Sequence, residues 1–316
     1  MIQIKDTATR NLDKISKDYF KIIKEYVNKK LHHLNQHQRT FIESTLTLEK
    51  IITGTPEELN EINNSFLKIY EGSEYQTKDP NENLEKVFKF SWFSKSNNGK
   101  FAYDLASKLN FNTCPYCNRN YTVTARSANK SRITRPDFDH FFPQKGYPLL
   151  TLSFFNLIPS CLICNRTVKN QQCVKDGDYL NPYEEGFEKT CKFNYLPQDT
   201  ESAIGIGNKY KVKFNIDSKD PIKSKKCNNN VCLFKLEEIY EASHTTEISD
   251  LIRKHHVSNG KYLEELKKTF PQIGSFEELY RLAFGNYYEN ESLEKRPLSK
   301  MTKDMVEQLG FYFPDQ

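Results

Sequence analysis

Three short runs decide how this chain reads: Cys114-Pro115-Tyr116-Cys117, then Phe138-Asp139-His140-Phe141-Phe142-Pro143, then Asn156-Leu157-Ile158-Pro159-Ser160-Cys161-Leu162-Ile163-Cys164-Asn165. The first and third runs each hold a CxxC pair, with 43 residues between Cys117 and Cys161. A CxxC turn offers two sulfurs at zinc-binding separation, and four thiolates close a tetrahedral site with no open position. The spacing therefore predicts a structural zinc on Cys114, Cys117, Cys161 and Cys164. No thioredoxin-like βαβ pattern surrounds either pair, which argues against a redox role. The zinc would tie residue 114 to residue 164 and bracket everything between.

Inside the bracket the order of residues suggests a strand, a loop, a second strand and a helix. Asp139 and His140 end the first strand. The chain returns through a short strand near Phe155 to Ile158, and Ser160 starts a helix running past Lys169. Asn165 then lies on the first turns of that helix, facing Asp139, with Lys169 on the same face four residues on. Phosphodiester hydrolysis needs a base for water and a cation for the phosphate. A hard divalent ion keeps several waters, so one carboxylate and one amide oxygen suffice. Asp139 and Asn165 offer that pair for magnesium or manganese. His140 titrates near neutrality and serves as the base. Asn156 is placed to hydrogen-bond across the loop and fix its shape around the histidine.

The charge pattern adds to this reading. The whole chain carries only +5 over 316 residues, a bias that permits nucleic-acid binding without arguing for it. Yet no acidic residue occurs between Asp104 and Asp137, where Lys108, Arg119, Arg126, Lys130, Arg132 and Arg135 are all basic. Arg119, Arg126, Lys130, Arg132, Arg135 and Lys169 are the expected backbone contacts to nucleic acid.

The flanks read as helical. Leu12, Ile15, Tyr19, Ile22, Ile23 and Tyr26 recur at helical spacing. Thr55-Pro56-Glu57-Glu58 is a capping box opening a helix through Leu59, Ile62, Phe66, Leu67 and Tyr70, with Gly72 closing it. A polar linker follows over 73–84. Lys209 to Asp217 alternates strictly, which predicts a strand with Tyr210, Val212, Phe214 and Ile216 inward and its lysines outward. Ser275-Phe276-Glu277-Glu278 is a second capping box, Gly285 ends its helix and Gly310 ends another. Of the eight cysteines, Cys173 and Cys191 read as packing residues, and Cys227 and Cys232 as incidental. No apolar run reaches the ~18 residues of a membrane span. Met1 to Arg10 lacks an apolar leader, so a cytoplasmic location is expected.

With these residues in view, CPYCN, FDHFFP and NLIPSCLICNRTVKN resemble the HNH endonucleases that carry a cysteine-zinc knuckle. The resemblance covers about residues 113 to 172. Tyr179-Leu180-Asn181-Pro182-Tyr183-Glu184-Glu185 and the lead-in KFAYDLASKLNFNTCPYCNRNY are similar to the HNH effectors of Septu-type anti-phage systems (PtuB-like) and their retron-associated relatives. The resemblance implies Asp139 as metal-binding aspartate, His140 as general base and Asn156 as loop-fixing asparagine. Asn165 stands where many such enzymes have histidine, an H-N-N variant. It also implies an ATPase partner of the SMC or AAA type (PtuA-like) and a defence role. The expected fold class is α+β: a ββα-metal core with structural zinc over 111–195, a helical region over 1–110, and a strand-containing, then mostly helical region over 196–316. The expected function is a metal-dependent endonuclease on DNA. A ribonuclease using the same site, and a zinc-knuckle scaffold or nucleic-acid-binding module without catalysis, are the alternatives.

Overall fold

The structure, a computed structural model, describes residues 1–43, 45–69, 79–170 and 177–313. Tyr70, Gly72, residues 73–78 of the 73–84 linker and Cys173 lie outside the described residues. The chain forms two compact units. One gathers Ile4–Phe111 and Thr122–Glu184, the other Met1–Gln3, Asn112–Tyr121 and Glu185–Gln316. The stretch 111–195 is thus shared between them.

The first unit opens with helix α1 (Leu12–Asn28), in which Leu12, Ile15, Tyr19, Ile23 and Tyr26 of the periodic set are buried and Ile22 is half-buried. Asn11 caps it, its side-chain oxygen accepting from the Lys14 N–H at 2.7 Å. Then come α2 (Gln36–Glu43), α3 (Thr45–Thr53) and α4 (Pro56–Lys68). At α4 both halves of the capping box form: the Glu58 N–H donates to the Thr55 hydroxyl at 3.3 Å, and the Thr55 N–H to the Glu58 carboxylate at 2.8 Å. Short α5 (Leu84–Val87) leads into α6 (Phe90–Leu109), which breaks at Ser96–Gly99. Asn97, Asn98 and Gly99 are left-handed there, residue types that tolerate positive φ. Tyr19 meets the Phe93 ring edge-on at 5.4 Å and donates its hydroxyl to the Leu152 carbonyl at 3.0 Å. That contact anchors α1 and α6 on the loop around Leu152.

Two small antiparallel ribbons complete this unit. β1 (Ala125–Arg126) pairs with β2 (Arg132–Thr134), and β3 (Asp137–His140) with β4 (Leu157–Ser160). In the second ribbon Asp137 faces Ser160 and His140 faces Leu157. Pro159 is tolerated because a two-stranded ribbon has open edges on which no N–H is needed. After β4, Ile163–Lys169 winds as a π-helix, and the Asn170 N–H reaches the Asn165 carbonyl five residues back at 3.0 Å. Such wide turns are uncommon and gather at functional sites. The order strand, loop, strand, helical turn is the one expected from the sequence.

In the second unit β5 (Cys191–Pro197) pairs antiparallel with β6 (Tyr210–Ile216), from Cys191 opposite Ile216 to Pro197 opposite Tyr210. β6 alternates buried and exposed as its sequence predicts. Against the ribbon pack α7 (Thr200–Ala203), α8 (Pro221–Leu233), α9 (Leu236–Ser243) and α13 (Ser299–Leu309), and the unit also holds α10 (Thr245–Ser258), α11 (Tyr262–Thr269) and α12 (Phe276–Phe284). Lys211 and Lys213 pair with Glu241 and Glu237 of α9 at 2.6 and 2.7 Å. Ser275 caps α12, accepting from the Glu278 N–H at 3.2 Å. Gly285 and Gly310, with φ of 68° and 74°, end α12 and α13. Cys191 and Cys227 are buried, and Cys232 is exposed. The chain is therefore a mixed fold of helices with small antiparallel sheets. Among the described residues no helix is long and apolar enough to cross a membrane.

Candidate functional site

The sulfurs of Cys114, Cys117, Cys161 and Cys164 lie within 4.8 Å of one another, and all four residues are buried. Tetrahedral zinc with ligands at ~2.3 Å places its sulfurs roughly 3.8 Å apart, so the cluster fits a structural zinc. Local backbone supports the thiolates. The Arg119 N–H points at the Cys117 sulfur at 3.4 Å and the Cys164 N–H at the Cys161 sulfur at 3.5 Å. Asn118, left-handed at φ 50°, lets the chain turn sharply after Cys117. Its buried amide donates to the Thr113 hydroxyl at 3.0 Å and the Leu293 carbonyl at 3.2 Å, and accepts from the Lys300 N–H at 3.0 Å. The sequence reading passed over Asn118, although an asparagine directly after a CxxC turn is a signal for positive φ.

His140 ends β3 with its ring buried, 7% exposed. Its Nε2 lies 2.9 Å from the Thr151 carbonyl. A carbonyl only accepts, so the proton sits on Nε2 and the lone pair on Nδ1. The Gln144 side-chain amide donates to that Nδ1 at 3.1 Å. Phe90 meets the imidazole edge-on at 4.6 Å. Burial pushes the imidazole pKa down from its usual value to about 4, against the raising effect of the Thr151 bond and the Asp139 charge. The titration near neutrality expected for His140 is therefore not found: burial keeps the ring neutral at neutral pH, with its tautomer fixed.

Asn156 is fully buried and spans the loop between β3 and β4. Its Oδ1 accepts from the Phe142 N–H at 2.6 Å, and its Nδ2 donates to the carbonyls of Phe142 at 3.2 Å and Leu150 at 2.9 Å. Leu150 adjoins Thr151, so this one amide holds the segment whose carbonyl orients His140.

Asp139 and Asn165 are placed differently from the expectation. Asp139, 2% exposed, is paired with the Lys169 ammonium, itself 1% exposed, at 2.9 and 3.0 Å. The same ammonium donates to the His140 carbonyl. The Asn165 amide donates to Asp137 at 3.3 Å, and Arg166 grips Asp137 in a two-pronged bond at 2.7 and 2.9 Å. The match is geometric. Asp137 and Asp139 share one face of β3, two residues apart, and one turn of the π-helix sets Asn165 and Arg166 against the first and Lys169 against the second. Among the described residues only the four cysteines form a metal-binding group of three or more His, Cys, Asp or Glu. Asp139 and Asn165 thus each have a partner within the protein, Lys169 and Asp137, in place of the shared divalent ion expected for them.

The basic residues are mostly engaged within the protein. Lys169 does not contact nucleic acid as expected: its ammonium is buried on the Asp139 carboxylate, away from any backbone phosphate. Arg119 donates to His244 at 3.0 Å and Ser243 at 3.1 Å. Arg126 pairs with Asp104 at 2.8 Å, and Arg132 donates to the carbonyls of Asn97 and Asn98 at 2.6 Å each. Arg126, Arg132 and Arg135 lie 5.4, 6.0 and 5.8 Å from the centre of one ring, that of Tyr103. Lys130 is exposed at the hairpin tip. No family model, curated protein or solved structure matches this chain.

Proposed function

We propose that this chain is an endonuclease of the HNH type, hydrolysing phosphodiester bonds, with DNA as first-choice substrate and His140 as general base. The observation that carries the reading is the imidazole itself. It is neutral, it is fixed by the Thr151 carbonyl, and its Nδ1 lone pair, which accepts from the Gln144 amide and passes to water when Gln144 turns aside, lies where β3 enters the loop braced by Asn156. Water deprotonated at Nδ1 would leave an imidazolium whose Nε2–H bond to Thr151 strengthens as charge develops. Magnesium or manganese dependence comes with the resemblance to HNH nucleases. Asp139 and Asn165 are engaged with Lys169 and Asp137, so the proton transfer at His140 is the step that the chain's own residues supply. The Septu-like defence role and the ATPase partner likewise rest on the motifs CPYCN, FDHFFP and NLIPSCLICNRTVKN.

The test is zinc-loaded protein incubated with supercoiled plasmid, single-stranded DNA and total RNA, with magnesium, with manganese and with neither. General-base removal costs ~10²–10⁴-fold. His140→Ala should therefore abolish cleavage of whichever polymer is cut, and full activity in that variant rejects the mechanism. A second reading, a zinc-knuckle module without catalysis, is favoured by the Asp139–Lys169 pair, which leaves that carboxylate already neutralised. It predicts no cleavage under any of these conditions.

A further inference from the structure

A groove of about 1060 Å³ lies beside His140, lined by α5, the start of α6 and the loop around Gln144. Three groups that touch the imidazole also line it: Gln144 at Nδ1, Thr151 at Nε2 and Phe90 against the ring. Its walls carry four exposed lysines, Lys86, Lys89, Lys95 and Lys145. Among the described residues none of the four forms an ion pair, and Lys86 alone makes a hydrogen bond, to Asn83 at 2.6 Å. Asp79, Glu82 and Glu85 also line the groove, so its walls sum to +1.

We infer that this groove binds the substrate strand, its lysines neutralising backbone phosphates while one phosphate reaches His140 past Gln144. The contrast with residues 119–135 carries the argument. There the arginines bond to carboxylates, carbonyls and rings of the protein, whereas here, among the described residues, no ammonium is ion-paired and those of Lys89, Lys95 and Lys145 make no hydrogen bond, in a groove lined by three groups that touch the imidazole. The carboxylates make the groove selective against indiscriminate polyanions, because a strand must sit with its phosphates on the lysine positions. This inference rests on the nuclease reading for the identity of the occupant, but its test is a binding measurement independent of cleavage.

The probes are fluorescein-labelled 20-mers of single-stranded DNA, RNA and duplex DNA, titrated by anisotropy in the His140→Ala background. The variant is Lys86→Gln, Lys89→Gln, Lys95→Gln and Lys145→Gln together. The control removes the same charge through Lys189→Gln, Lys219→Gln, Lys235→Gln and Lys261→Gln, exposed lysines that do not line the groove. At low salt the groove variant should bind at least tenfold more weakly than the control. For single strands the slope of log K against log salt should shrink by about 2.8, at roughly 0.7 per phosphate. Equal binding by groove variant and control overturns the inference. If the lysines govern binding while no polymer is ever cut, the nuclease reading fails and the groove stands. If cleavage needs His140 but the groove variant binds and cuts like the control, the reverse holds.

Discussion

Replacing Lys169 with methionine should destabilise the protein by about 3–5 kcal/mol, the usual cost of leaving one member of a buried ion pair alone. The magnitude follows from the geometry. The ammonium lies 2.9 Å from a carboxylate oxygen, and both groups are almost wholly out of water. At an effective dielectric of about 20 the attraction is about 6 kcal/mol. Methionine keeps the length of the side chain and removes that attraction together with the bond to the His140 carbonyl. The desolvation of Asp139 remains. The assay is urea unfolding of the zinc-loaded protein, reading the midpoint at unchanged slope. Asp139→Asn with Lys169→Met should recover most of the loss, since both charges then disappear, and the cycle isolates the pair. A loss below about 0.5 kcal/mol for Lys169→Met is the signature of an exposed side chain. That result would refute the buried pair and return Lys169 to the candidates for substrate contact.

Asn156→Ala strands the Phe142 N–H and two carbonyls, and should cost roughly 2–4 kcal/mol in urea unfolding while abolishing any His140-dependent cleavage. An effect on neither would mean that the loop is held by other bonds. Cys114→Ser should lower bound zinc, measured by a colorimetric chelator, from one per chain, and should lower the thermal midpoint; a wild-type chain purified without zinc under reducing conditions rejects the site. Thr55→Ala removes one half of a capping box and should cost about 1 kcal/mol.

The local pieces were legible in the sequence because each is dictated by short-range chemistry. The CxxC pairs, the Thr55 capping box, the alternation of Tyr210 to Ile216 and the order strand-loop-strand-helix around His140 need only neighbours along the chain. The bracing by Asn156 was readable for the same reason, since a buried asparagine between two strands must find partners in the loop it spans. What failed to show was pairing at a distance. Asp137 carries the same strand-face signal as Asp139, yet nothing in the sequence says that Asn165 chooses the first and Lys169 the second. That choice depends on the wide π turn, and the i→i+4 geometry assumed for this segment is the wrong one for it. The groove lysines were invisible for a similar reason. Lys86 to Lys95 lie some 50 residues before the histidine, in a stretch with no motif, and only the packing of α5 and α6 brings them to it.

Charge counting along the chain therefore picked out cations that are mostly engaged within the protein. An arginine in a run free of acids is not thereby free: Arg126 found Asp104, and Arg132 found two carbonyls exposed by the break in α6. The same logic bears on Asp139. A hard divalent ion needs a carboxylate oxygen at its own contact distance, where the Lys169 ammonium now sits, and two cations do not share so small a space without repulsion. Hence a catalytic ion at Asp139 competes with the Lys169 ammonium for the carboxylate, and Lys169→Met makes that competition measurable. If Asp139 is a metal ligand, magnesium should stabilise the methionine variant by about 2.7 kcal/mol at a hundredfold excess over its dissociation constant, and the wild type by less. If magnesium stabilises neither protein, Asp139 serves the ammonium alone, and whatever chemistry His140 performs proceeds without a cation on that carboxylate.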